Sequence, residues 1–114
     1  MTMITLANGT QLHIRPAQVT MVSGAGQQSQ VSGFGPEKLE VQEGAQALLN
    51  HLQIAAAFAP FTTPNGVPIW VNRDAVSLVR APLTIENGQA VVYAGGEKQA
   101  LAETVAVVRA AVGL

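Results

Sequence analysis

Cysteine is absent from this chain of 114 residues. That excludes a disulfide framework, a thiolate metal site and a cysteine nucleophile. Charge is scarce: Asp, Glu, Lys and Arg make up 11% of the residues, against about 25% in an average soluble domain. Six Lys and Arg stand against seven Asp and Glu, for a net charge of −1. A basic field able to draw in nucleic acid is therefore missing, and with it the counterion-release contribution that supplies most non-specific affinity. Long apolar runs are missing too. The longest candidate, Ile54 to Phe61, is interrupted by Pro60 and falls short of the ~18 residues of a membrane span. The first residues show no basic segment followed by an apolar one, so the expectation is a chain without a secretory signal, cytoplasmic or virion-associated.

What is present is a repetition. Asn8 to Val22 reads NGTQLHIRPAQVTMV, and Asn65 to Val79 reads NGVPIWVNRDAVSLV. The two stretches align without a gap. Asn-Gly, Val19/Val76 and Val22/Val79 are identical; Leu12/Ile69, Ile14/Val71, Thr20/Ser77 and Met21/Leu78 are conservative pairs. A second pair follows, GPEKLEVQE from Gly35 and GGEKQALAE from Gly95. This predicts a tandem duplication, residues 1–59 and 60–114. Each half is too small to carry a good core alone, so the two should share one.

Within each half the local signals agree. Asn8-Gly9 and Asn65-Gly66 predict hairpin turns of type I′. Leu12 and Ile14 alternate with Gln11, His13 and Arg15, and Ile69 and Val71 alternate with Pro68, Trp70 and Asn72. That is the period of a half-buried strand. Gln18 to Ser23 and Val76 to Val79 predict third strands. Gln30 to Phe34 and Gln89 to Tyr93 predict fourth strands, and Lys38 to Val41 and Lys98 to Leu101 fifth ones. The spacing of Val41, Ala45, Leu48 and Leu52, and of Leu101, Val105, Val108 and Val112, predicts a helix closing each half. The first helix is expected to run to Ala59, where Pro60 ends it. The fold expected is α+β: two pseudo-symmetric copies of a small bent antiparallel sheet of about five short strands, each followed by a C-terminal helix.

This order resembles the FlbD/SwrD family of small flagellar proteins. The resemblance is carried by Asn8, Gly9, Leu12, Ile14, Pro16, Val19 and Val22, and by Asn65, Gly66, Ile69, Val71, Asp74, Val76 and Val79. It covers nearly all of each half and implies a small accessory or docking role with no catalytic residues and no cofactor. A weaker resemblance, to LytTR-type domains, implies a nucleic-acid-binding regulator.

Chemistry finds few footholds. His13 lies on the outward strand face, and Trp70 stands in its place in the second half, which is no substitute for a ligand or a base. His51 falls at the polar edge of a helix. Ser23-Gly24-Ala25-Gly26 lacks the Lys-Ser/Thr of a phosphate loop. Asp74 and Glu103 have no carboxylate partner at a telling spacing. Arg15, Arg73 and Arg80 could gather near the strand corners, the best case for nucleic acid. Trp70 is the single tryptophan, a residue type enriched at interface hot spots. It is either an interface residue, with Pro68 and His13, or covered by the Ser23–Gln30 loop or a helix. The expected function is a non-enzymatic structural or accessory module that docks on, or repeats within, a large protein assembly. It would be of virion decoration or connector type, or flagellar type. Its partners are proteins, itself included as a homo-oligomer, with neither nucleic acid nor membrane. The alternative is the LytTR-like regulator.

Overall fold

The structure, a computed structural model, describes residues 2–114. Ten strands and two short helices follow one another. The strands are β1 Thr2–Thr5, β2 Gln11–Ile14, β3 Met21–Ser23, β4 Ser29–Ser32 and β5 Leu39–Val41, followed by the helix α1, Ala45–His51. Then come β6 Phe58–Thr62, β7 Pro68–Asn72, β8 Val76–Arg80, β9 Ala90–Ala94 and β10 Glu97–Leu101, followed by α2, Val105–Val112. Turns of 3-10 helix occupy Pro16–Gln18, Ala55–Ala57 and Arg73–Ala75.

The expected pair of symmetric five-stranded sheets is not what forms. The fold is mostly β, in three antiparallel sheets: β1-β2, then β5-β4-β3-β7-β6, then β10-β9-β8. The reason is the choice of partner across the β3 edge. β3 takes β7, pairing Met21 with Val71, Val22 with Trp70 and Ser23 with Ile69. That joint draws strands from both halves of the chain into the central sheet. Smaller contacts link the sheets at their ends. Leu6 bridges Val41 and the Gln42 N–H donates to the Thr5 carbonyl at 3.0 Å. The Ala102 N–H does the same to Thr62 at 2.7 Å.

The helices are also shorter than their apolar spacing predicts. Val41 and Leu101 belong to strands. α1 stops at His51, and Gln53 takes a positive φ of 60°, which turns the chain away from helix. Phe58 to Thr62, expected partly as helix, is strand β6. Pro60 is tolerated there because β6 is an edge strand with β7 as its only partner. α2 is capped at both ends: Thr104 Oγ1 accepts from the Val107 N–H at 3.4 Å, and Gly113 closes it at φ 79°.

The hairpin turns sit where expected, but they are not type I′. Gly9 and Gly66 have positive φ, while Asn8 and Asn65 do not. The Gly9 N–H donates to Leu6 and the Gly66 N–H to Thr63, each at 2.9 Å. This is the longer turn with a left-handed glycine at its end. Asn8 Oδ1 accepts from the Thr10 N–H at 2.9 Å, which satisfies the donor that the turn exposes.

Two apolar clusters form rather than one shared core. The first gathers Ile4, Ile14, Val19, Val22, Val31, Val41, Leu48 and Leu49, with Phe58 and the half-buried Trp70 supplied from β6 and β7. The second gathers Phe61, Ile69, Val71, Val92, Leu101 and Val108, with Met21 supplied from β3. Alternation along β3 and β7 makes this possible. Met21 and Val71 point to one face of the central sheet, Val22 and Trp70 to the other. The stripe residues Leu48 and Val108 are both fully buried. Among the described residues no helix is long and apolar enough to cross a membrane.

Candidate functional site

The three residues singled out from the sequence do not fall in one place. Pro68 and Trp70 share a face of β7 and line a cleft of about 430 Å3 with the loop Gly24–Gln27 and the first turn of α1, Gly44–Ala47. Both side chains are half-buried. Trp70 rests on the first apolar cluster and leaves part of its surface open to the cleft. His13 is on another sheet, exposed, on β2 opposite Met3. Among the described residues β2 has no partner on its far side, so His13 stands on a free edge.

The three arginines are not gathered either. Arg73 is built into the fold: its Nε donates to the Ala111 carbonyl at 3.0 Å and its Nη1 to Ala56 at 2.7 Å. It thereby holds the end of α2 and the Ala55–Ala57 turn together. Arg80 forks onto Glu86 at 2.6 and 2.8 Å and lies over the Tyr93 ring at 5.5 Å. Of these three, only Arg15 is exposed without a partner among the described residues.

Sequence reasoning missed Glu86. Its carboxylate takes Arg80, Lys98 Nζ at 3.0 Å and the Leu83 N–H at 2.7 Å. The Arg80 hydrogen bonds come first, then the Leu83 N–H and Lys98, in holding the Glu86 carboxyl well below the usual carboxylate range. The same pairing raises Arg80. The network pins the Ala81–Gln89 loop to β8 and β10. Arg80 at the end of a strand and Glu86 just ahead of Asn87-Gly88 were the only hints in the sequence.

Histidines and carboxylates stay scattered. His51 Nδ1 meets Glu43 Oε1 at 2.6 Å on the surface. Glu103 Oε1 accepts from the Thr62 N–H at 3.0 Å, a structural bond between β6 and the α2 approach. Among the described residues no three His, Asp or Glu side chains converge as a metal would require.

What the surface does offer is apolar. Leu78 is 42% exposed, Leu83 59%, Ile85 92% and Val107 52%. They belong to β8, to the loop that follows it, and to α2, which packs against β8. Among the described residues the outer edge of β8 is unpaired. No protein-family model, curated protein or solved structure matches the chain.

Proposed function

We propose that the chain is a non-enzymatic structural or accessory module of a large protein assembly, of virion decoration or connector type or of flagellar type. The observation that carries this reading is the exposure of Leu78, Leu83, Ile85 and Val107, carried by β8, the loop after it and α2, together with the open outer edge of β8. Isolated exposed leucines are ordinary, but several around one unpaired strand mark a surface that another polypeptide covers. The low charge fraction supports the same reading, because a surface hidden in an assembly has little need of charge to stay soluble. The nucleic-acid alternative loses its basic patch: Arg73, Arg80 and Lys98 are occupied by the fold.

The test is size fractionation of an undenatured extract from the natural source, with the chain detected by antibody. The expected result is migration far above the 11.8 kDa of the chain. Migration as monomer in the extract, together with monomeric behaviour when pure and concentrated, overturns the reading.

A further inference from the structure

The chain makes one joint with itself and leaves both halves of a second one open. β2 and β7 hold the same place in the order of elements, each the second strand of a hairpin with an Asn-Gly turn. β3 and β8 likewise each follow a 3-10 turn. Inside the molecule β3 pairs with β7. The remaining two strands, β8 and β2, are both edges. We propose that β8 of one copy takes β2 of a second copy in the register that β3 and β7 already use. Leu78 then faces Ile14, Val79 faces His13, and Arg80 faces Leu12. This rests on the assembly reading and names its partner: another copy of this chain, joined head to tail.

Burial supports it, because five of the six residues of the internal joint are more covered than their counterparts at the open edges, Ser23 and Arg80 both being half-buried. Met21 is 2% exposed and Leu78 42%. Val22 and Ile69 are buried, whereas Val79 and Leu12 are only half-buried. The hydrogen-bonding groups are in place as well. The Asn72 N–H donates to Thr20 at 2.8 Å and the Gly24 N–H to Pro68 at 3.0 Å. By the two-residue period of an antiparallel ladder, Val22 and Trp70 then exchange bonds between the strands. At the same positions Val79 and His13 turn their N–H and C=O groups to the free edges.

The faces match too. Trp70 packs beside the start of α1 and the loop after β3. In the second joint His13 and its cross-strand neighbour Met3, 43% exposed, reach the start of α2 and the loop after β8, where Val107 and Leu83 are exposed. Charge matches at the corner. Asn72 Nδ2 donates to the Val19 carbonyl at 3.1 Å. Arg15 stands in its place and reaches the Val76 carbonyl, beside the exposed Asp74. His13 for Trp70 and Arg15 for Asn72 make the second joint more polar than the first, hence reversible. Because the contact is heterologous, it propagates until the rotation closes a ring, or without end.

The test is the mass of the purified full-length chain by sedimentation across concentration, with three variants. The wild-type mass is expected to rise with concentration. Val79→Pro removes an edge-facing N–H at a position where an edge strand tolerates proline. It should weaken association by about tenfold or more while leaving the circular dichroism of the monomer unchanged. Arg15→Asp and Asp74→Arg should each weaken association several-fold, and the two together should restore it. The charge pair keeps the proposal testable if Val79→Pro fails to fold. A wild-type chain that stays monomeric overturns the joint and leaves the assembly reading to its own extract test. Association that is indifferent to all three variants also overturns the joint, but favours the wider reading through another surface.

Discussion

VTMVS, residues 19–23 running into β3, and VSLVR, the whole of β8, match closely and each follows a 3-10 turn, yet they end in different surroundings. β3 lies in the middle of a five-stranded sheet; β8 is the edge of a three-stranded one. Val22 is fully buried and Val79 is not. Local pattern alone makes both of them strands. Whether a residue becomes core is settled by what lies across the strand edge, which is a property of a distant part of the chain.

Leu48 on α1 and Val108 on α2 are fully buried, and Leu48→Ala should cost about 2–5 kcal/mol of unfolding free energy by denaturant titration. A loss under about 1 kcal/mol would mean that α1 does not hold the first cluster. Next comes the strand pair itself. Val22→Ala should cost about 2 kcal/mol and Val79→Ala less than about 1 kcal/mol in dilute, monomeric protein. Equal costs would sink the claim that the β3–β7 joint makes the difference.

The loop that follows β8 is pinned through one carboxylate. Glu86 is held in its charged form by Arg80, the Leu83 N–H and Lys98. A carboxyl depressed in the folded state stabilises at neutral pH and loses that contribution as pH falls below the unfolded value of about 4.3. Melting temperature should therefore drop on acidification, and Glu86→Gln should be less stable at pH near 7 and show a flatter acid limb. Parallel acid limbs for the two proteins would remove Glu86 from the account. The smallest effect expected is at Thr20, whose buried Oγ1 has no hydrogen-bond partner among the described residues. Thr20→Val should be neutral or stabilising by up to about 1 kcal/mol, since no bond is lost. A clear destabilisation would show that the hydroxyl is satisfied after all.

Much of the strand content was legible because alternation reports a half-buried strand directly. Ile69 and Val71 are buried and Trp70 is on the other face, as the period requires. The sheet partners were not legible, because Val19 to Val22 say only that a strand forms there and nothing about Trp70 on its flank. The helices were overdrawn for a related reason. Val41 to Ala45 has helical spacing, yet the chain crosses from β5 through a loop to α1 between them, and apolar spacing cannot tell one route from the other. At the turns, Asn-Gly pointed to the right place and the wrong geometry, since only the glycine needs positive φ in the turn that forms. Of the candidate surface, His13 was visible as an outward residue, whereas Trp70, expected to face outward, rests half-buried on the first apolar cluster. Leu83, Ile85 and Glu86 were not visible, because they lie in a loop without period.

Finally, the β3–β7 joint sets an order of events during synthesis. Trp70 leaves the ribosome on the order of fifty residues after Val22, which at ~5–20 residues per second is several seconds. Until then β1 to β5 and α1 can assemble, but the first cluster lacks Phe58 and Trp70, and β3 shows a bare edge. A nascent chain arrested before β7 therefore presents at β3 the same bare strand edge that the finished molecule presents at β8. Ribosome-bound intermediates of this length are where chaperone capture or premature pairing between neighbouring nascent chains should concentrate.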